Sequence, residues 1–258
     1  MSKKKGILLT ILLAISLILA ACGTKESATS GSGGKKKLAG GTEAAFAPFE
    51  SMNDKGEIVG IDVDVLKAIA EEAGFEYELN NVGWEPLFQQ ITNGELDFGV
   101  SGITITDERK ETYDFTEPYY QANLVIVVKE DSAVQSVADL KGKKVSVQIN
   151  TTGHKAAQKA LGRSNPDILA YESQPAAMQE VINGSTEAAI GDNAVVYEYL
   201  KNNKNAKLKV IEDPSFEKEF YGIMVKKGNK EVLDLLNEGL KKIKENGKLE
   251  EITGQKLE

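Results

Sequence analysis

Residues 91–102 read "ITNGELDFGVSG", a helix end, an Asn-Gly stop and a short apolar run that closes on Ser-Gly. Ninety residues later the same grammar returns without gaps as "VINGSTEAAIGD", residues 181–192. Each copy reads as the last turn of an amphipathic helix, a glycine turn and a buried strand. Two such copies imply two similar halves. Each delivers its final residues to the carboxyl end of a strand, where open α/β sheets bind ligands.

Outward from the first copy, Leu66, Ile69, Ala70 and Ala73 keep helical spacing up to Gly74, and "FEYEL" alternates as a strand does. Pro86 opens the helix that ends at Gly94, and "LVIVV" (124–128) reads as a further buried strand. Around the second copy come "KVSVQ", a helix over about residues 153–161, "ILAYE", a helix after Pro175 and a helix through Tyr199. "YGIMV" and a helix over 229–246 close the chain. This alternation predicts an α/β architecture of mainly parallel sheets flanked by helices.

The N-terminus belongs to no such unit. Lys3, Lys4 and Lys5 precede an apolar run over 7–21 that ends in "LAAC" at Cys22. This is an export signal over residues 1–21 rather than an anchor helix, because the run is short and a polar "GTKESATSGSGG" follows it directly. Cys22 is the only cysteine of the chain and follows small residues, so no internal disulfide can form. Residues 22–35 read as a flexible tether, whose Gly/Ser-rich part reaches about 20 Å. Loss of residues 1–21 removes three of the 31 basic residues and none of the 39 acids, leaving a net charge of −11. Such an acidic protein is poorly suited to nucleic acid.

Metal, thiol and Ser-His chemistry find no support, since His154 is the only histidine and neither it nor Cys22 lies in a ligand-spaced cluster. His154 reads as a solvated residue near a helix start. A Walker phosphate loop is absent, and no cofactor is expected. What remains is a set of polar and aromatic residues at strand ends. "GTEAAFAPFE" supplies Glu43 and Phe46, "NNVGWEP" the only tryptophan, Trp84, and "VSGITITDER" Ser101, Gly102, Thr104 and Arg109. "VQINTTG" supplies Gln148, Thr152 and Gly153, and "AIGDNA" supplies Asp192. Plain structural roles exist for several of them. Arg109 could pair in solvent with Asp107 or Glu108, Asp192 could cap its helix, and Phe46 and Trp84 could be core aromatics.

Five stretches occur in a telling order: "GTEAAFAPFE", "VGIDVDVLKAIAEEAG", "SGITITDERKETYDFTEPYY", "DLKGKKVSVQINTTG" and "YGIMVKKGN". Across residues 38–247 the chain thereby resembles the solute-binding lipoproteins of ABC importers for polar amino acids, which include arginine-, lysine/arginine/ornithine- and glutamine-binding proteins. The resemblance implies the two-lobed periplasmic-binding-protein fold of type II, with the ligand in the cleft between lobes. Lobe 1 would comprise 36–121 plus 220–258 and lobe 2 would comprise 122–219, joined by crossing strands near 119–124 and 217–221. It also implies lipidation at Cys22, an exported monomer at the outer face of the cell membrane, and a permease with a separate ATPase as partners.

In that family the Arg109 position grips the ligand's α-carboxylate, and a planar fork of donors suits that role. Ser101, Thr104 and the backbone at Thr152 and Gly153 would donate to the same oxygens, and Asp192 would take the α-ammonium. Phe46 and Trp84 would flank the side chain, with Glu43 at its distal end. Glutamine-binding relatives place a lysine and a histidine where this chain has Gln148 and Gly191. The absence of both points to arginine or lysine, with glutamine the alternative. A cyclohexadienyl dehydratase-like enzyme that uses Glu43 as an acid is the rival from another class, and a ligand sensor is a third. Two departures stand out: Gly40 and Gly41 predict a loose strand ahead of Glu43, and the chain ends without the family's Trp-Phe-Gly.

Overall fold

The computed structural model of the chain describes residues 36–257. The expected signal over 1–21 and the tether with Cys22 over 22–35 lie outside the described residues.

The chain begins with β1 (Lys37–Thr42), the small antiparallel strands β2 (Ala45–Phe46), β3 (Glu50–Met52) and β4 (Ile58–Val59), and helix α1 (Ile61–Ala73). There follow β5 (Glu76–Asn81), α2 (Trp84–Asn93), β6 (Phe98–Gly99), α3 (Asp107–Thr112) and β7 (Tyr113–Phe115). Strand β8 (Tyr120–Lys129) leads to β9 (Val145–Gln148), α4 (Thr152–Leu161), β10 (Ile168–Tyr171), α5 (Gln174–Asn183), β11 (Ala188–Asp192), α6 (Asn193–Asn202) and β12 (Leu208–Ile211). Then β13 (Lys218–Tyr221), β14 (Met224–Lys226), α7 (Lys230–Glu245) and α8 (Lys248–Thr253) complete it.

Two larger sheets result, ordered β5-β1-β6-β14-β7 and β10-β9-β11-β8-β12. In each, three parallel strands (β5, β1, β6 and β10, β9, β11) are extended by antiparallel ones. Strand β13 pairs antiparallel with the start of β8, so both passages between the sheets run side by side. Buried aromatics pack beside this pair, with Phe49 edge-on to Tyr120 and Tyr221 at 4.7 and 5.1 Å. Such contacts stiffen the junction from which both sheets extend.

The sequence echo has the same backbone in both copies. Helix α2 ends at Gly94 with φ 77°, its N–H donating to Gln90 O and Ile91 O, and α5 ends at Gly184 with φ 77°, donating to Glu180 O and Val181 O. The left-handed turn that satisfies the last carbonyls also aims the next strand into its sheet. Pro86 stands third in its helix, within the first turn where a missing N–H costs nothing.

The expected looseness of β1 is not observed. The strand pairs along its length with β5 and also with β6. A Cβ at Gly40 would lie 2.2 Å from the Phe98 ring, and one at Gly41 2.5 Å from Leu96. Neighbouring side chains fill the space that a β-branched residue would take, so these glycines serve close packing.

Candidate functional site

Glu43 follows β1, Ser101 and Gly102 follow β6, Thr152 follows β9, and Gln148 and Asp192 end β9 and β11. All lie at carboxyl ends of parallel strands. The structure draws ten of the eleven expected residues around one cleft between the two sheets, joined by Thr151; Gly153 stands behind, close to the Ile190 carbonyl. About 10 Å³ of space separates these side chains, room for roughly one water.

Arg109 makes no ion pair with its neighbours. Asp107 meets Lys110 at 4.0 Å and Glu108 meets Lys155. The Thr106 hydroxyl caps α3 by accepting from Arg109 N, and this turns the guanidinium inward, where Nη1 donates to Thr104 O at 2.8 Å and Nη2 to Asn150 O at 3.3 Å. Its carbon stands 5.4 Å from the centre of the Trp84 ring and 5.3 Å from that of Phe88. Two aromatic faces therefore hold the fork. Burial lowers its pKa to about 10, opposed by Glu219 and Asp192, so it stays cationic at neutral pH.

Asp192 occupies the N-cap position of α6, yet its side chain does not cap; Oδ1 accepts from the Tyr221 hydroxyl at 2.6 Å. Burial, then the charge of Glu219, raises its pKa to about 7. Glu43 is buried too, and its Oε2 accepts from Gln148 Nε2 at 2.6 Å. Burial dominates its rise to about 7, the Gln148 bond opposing it. Phe46 and Trp84 line the cleft and also belong to apolar clusters, so each is at once a core aromatic and part of the cleft wall.

The two hydroxyls expected to donate to a carboxylate do otherwise. Ser101 Oγ donates to Glu50 Oε1 at 2.7 Å and accepts from Glu43 N at 3.0 Å. Thr104 Oγ1 donates to Glu219 Oε2 at 2.8 Å. In each case a carboxyl oxygen of a neighbouring acid takes the proton. His154 is half-buried rather than solvated, because Nδ1 accepts from Asn150 N at 3.1 Å, and desolvation lowers its pKa.

Behind Ser101 lies an acid pair. Glu50 and Asp62 are fully buried; Asp62 Oδ2 accepts from Gly102 N at 2.7 Å and from the Tyr119 hydroxyl at 2.8 Å. Burial and then the charge of Asp62 push Glu50 well above the usual carboxylate range. The pair holds the Ser101–Gly102 turn through the Ser101 hydroxyl and the Gly102 N–H. Glu219, Tyr221, Phe88, Glu50 and Asp62 escape the sequence analysis. Alternation along the crossing strand was the available signal for the first two, since residues 219 and 221 share one face of β13.

Together these features define a two-lobed binding protein whose cleft presents a fixed guanidinium opposite buried acids. The chain belongs to the family described as bacterial extracellular solute-binding proteins, family 3, which matches residues 38–255. It is 37% identical to the probable histidine-binding protein of Neisseria gonorrhoeae, over 92% of this chain and 90% of that protein. With the arginine-binding extracellular protein ArtP of Bacillus subtilis it shares 35% identity over 98% of this chain and the full length of ArtP. The crystal structure of the arginine-, lysine-, histidine-binding protein ArtJ of Geobacillus stearothermophilus superposes with a TM-score of 0.81 at 50% identity, covering 84% of this chain and 93% of ArtJ.

Proposed function

We propose that this protein is the receptor of an amino-acid ABC importer and captures a basic amino acid, arginine or lysine, for delivery to the permease. One observation carries the choice of ligand: two acids, Glu43 and Asp192, line the cleft, and among the described residues Arg109 is the one cation lining it. A zwitterion fills the clamp and leaves that imbalance, whereas a second cationic group on the ligand offsets it. Relatives named for arginine and histidine binding favour the same class.

In this reading Arg109, with the backbone N–H groups of Thr152 and Gly153, takes the α-carboxylate. Asp192 takes the α-ammonium, Phe46 and Trp84 flank the side chain, and Glu43, steadied by Gln148, meets the distal cation. Gly102 keeps the wall beside Phe46 thin, since a Cβ there would approach that ring to 2.6 Å. Ligand of this size needs a cleft of roughly 300 Å³, so the lobes separate to admit it. Lobe 1 comprises 36–121 plus 220–258 and lobe 2 comprises 122–219. Desolvated acids oppose closure until a cation arrives, and closure follows its contacts with both lobes. The protein catalyses nothing, acts as a monomer and is held at the outer face of the membrane by lipid on Cys22.

A thermal-shift screen of ligand-stripped protein tests the reading, because a bound ligand stabilises by mass action. Arginine, lysine or ornithine should raise the melting temperature and glutamate should not. Response to glutamine alone would reverse the ligand assignment, and turnover of prephenate would replace the receptor with an enzyme.

A further inference from the structure

Glu219 is a carboxylate on the crossing strand β13, and its Oε2 accepts two hydroxyl protons, from Thr104 at 2.8 Å and from Thr152 at 2.9 Å. Thr104 comes from the segment after β6 and Thr152 from the start of α4, so one oxygen ties a residue beside each sheet. Two residues along the same face of β13, the Tyr221 hydroxyl holds Asp192 at 2.6 Å. A single strand thus touches three polar groups of the cleft.

A hydroxyl has one proton to give. Once Thr104 and Thr152 have donated theirs to Glu219, each can offer only lone pairs to anything else. Lone pairs accept from an ammonium and repel a carboxylate. The other polar groups divide likewise, with Arg109 as donor and Asp192 as acceptor beside them.

We propose that Glu219 is a positioning and specificity-determining residue of the amino-acid site: by taking both hydroxyl protons it presents Thr104 and Thr152 as acceptors for the ligand's α-ammonium, alongside Asp192. The proposal rests on the receptor reading above and adds a residue that meets the ligand through others. It also gives a reason for an acid that faces away from the clamp. Glu219 borders a neighbouring cavity of about 560 Å³ lined by Leu124, Val137, Ala156 and Phe216, so water can reach it from that side while its bonds order the cleft side. A free carboxylic acid cannot satisfy two acceptor-only hydroxyls, and this orients an amino acid in one direction only.

The test is a double-mutant cycle on arginine affinity, measured by calorimetry with the exported protein, residues 22–258. Glu219→Ala and Thr104→Val should each weaken arginine by about tenfold, the worth of one charge-assisted contact. Because Glu219 acts through the hydroxyl, the double variant should be within about threefold of the weaker single variant. Glu219→Gln keeps an acceptor for both protons and should recover part of the loss. A double variant about a hundredfold weaker than wild type would make the two residues independent and overturn the proposal, as would unchanged affinity in Glu219→Ala. Failure of wild-type protein to bind arginine, lysine or histidine would instead refute the receptor reading.

Discussion

Glu43→Gln separates the charge of the distal pocket from its shape. The carboxyl rises from 4.5 to about 7 on burial, so keeping it ionised in the closed cleft costs about 3 kcal/mol. A ligand cation at about 4 Å offers roughly 4 kcal/mol of attraction at an effective dielectric of about 20. The net worth of hydrogen bonds to charged groups is about 1.5–3 kcal/mol. The amide removes both the attraction and the cost and keeps a partner for Gln148. Arginine affinity should therefore fall about 10- to 100-fold, whereas glutamine, which needs no negative charge there, should hold or gain affinity. Calorimetric titration of ligand-stripped wild type and variant with both amino acids reads the ratio directly. Equal losses for arginine and glutamine would mean that Glu43 supports the fold rather than selecting the ligand, and an unchanged arginine affinity would remove it from the pocket.

Arg109→Ala should nearly abolish amino-acid binding, a loss of several kcal/mol as expected when one partner of a buried charge pair is removed, with circular dichroism unchanged; near-normal affinity would place the site elsewhere. Arginine affinity should be full above pH 7 and fall as pH drops through it, by about tenfold per unit for each proton released, because the raised carboxyls of Glu43 and Asp192 must ionise to meet a cation. Calorimetry across pH 8 to 5.5 checks this, and a flat profile contradicts it. Glu50→Gln should change stability by less than about 1 kcal/mol, since the amide keeps an oxygen to accept from Ser101 and removes the charge that Asp62 opposes, whereas Glu50→Ala should cost about 3 kcal/mol through a cavity and orphaned polar groups. Chemical denaturation of both variants makes the comparison, and equal losses would contradict it.

Much of the fold was legible because it depends on local signals. Asn-Gly at 93–94 and again at 183–184 marks a left-handed helix stop, and the strands beyond it are short, apolar and buried. The cleft's lining was legible for a related reason: Glu43 and Asp192 sit where strands end, Arg109 lies on α3 in the segment after β6, and topology brings strand ends together. Pair interactions across the cleft were not legible. Nothing near Thr104 says that its proton goes to Glu219, 115 residues away, and Ser101 gives no sign that it serves Glu50. Gly40 and Gly41 misled because their role is set by Phe98 on the neighbouring strand β6 and Leu96 just before it, far away in sequence, which local strand propensity does not include.

The central claim is that a ligand cation, meeting buried acids, closes the cleft. Trp84 is the only tryptophan and stands beside Arg109 at that cleft, so its fluorescence reports closure without a label. Titration of ligand-stripped protein at pH 7.5 should give a saturable change with arginine and lysine, a weaker one with glutamine and none with glutamate. A saturable response to glutamate, or silence toward both arginine and lysine, would contradict the account.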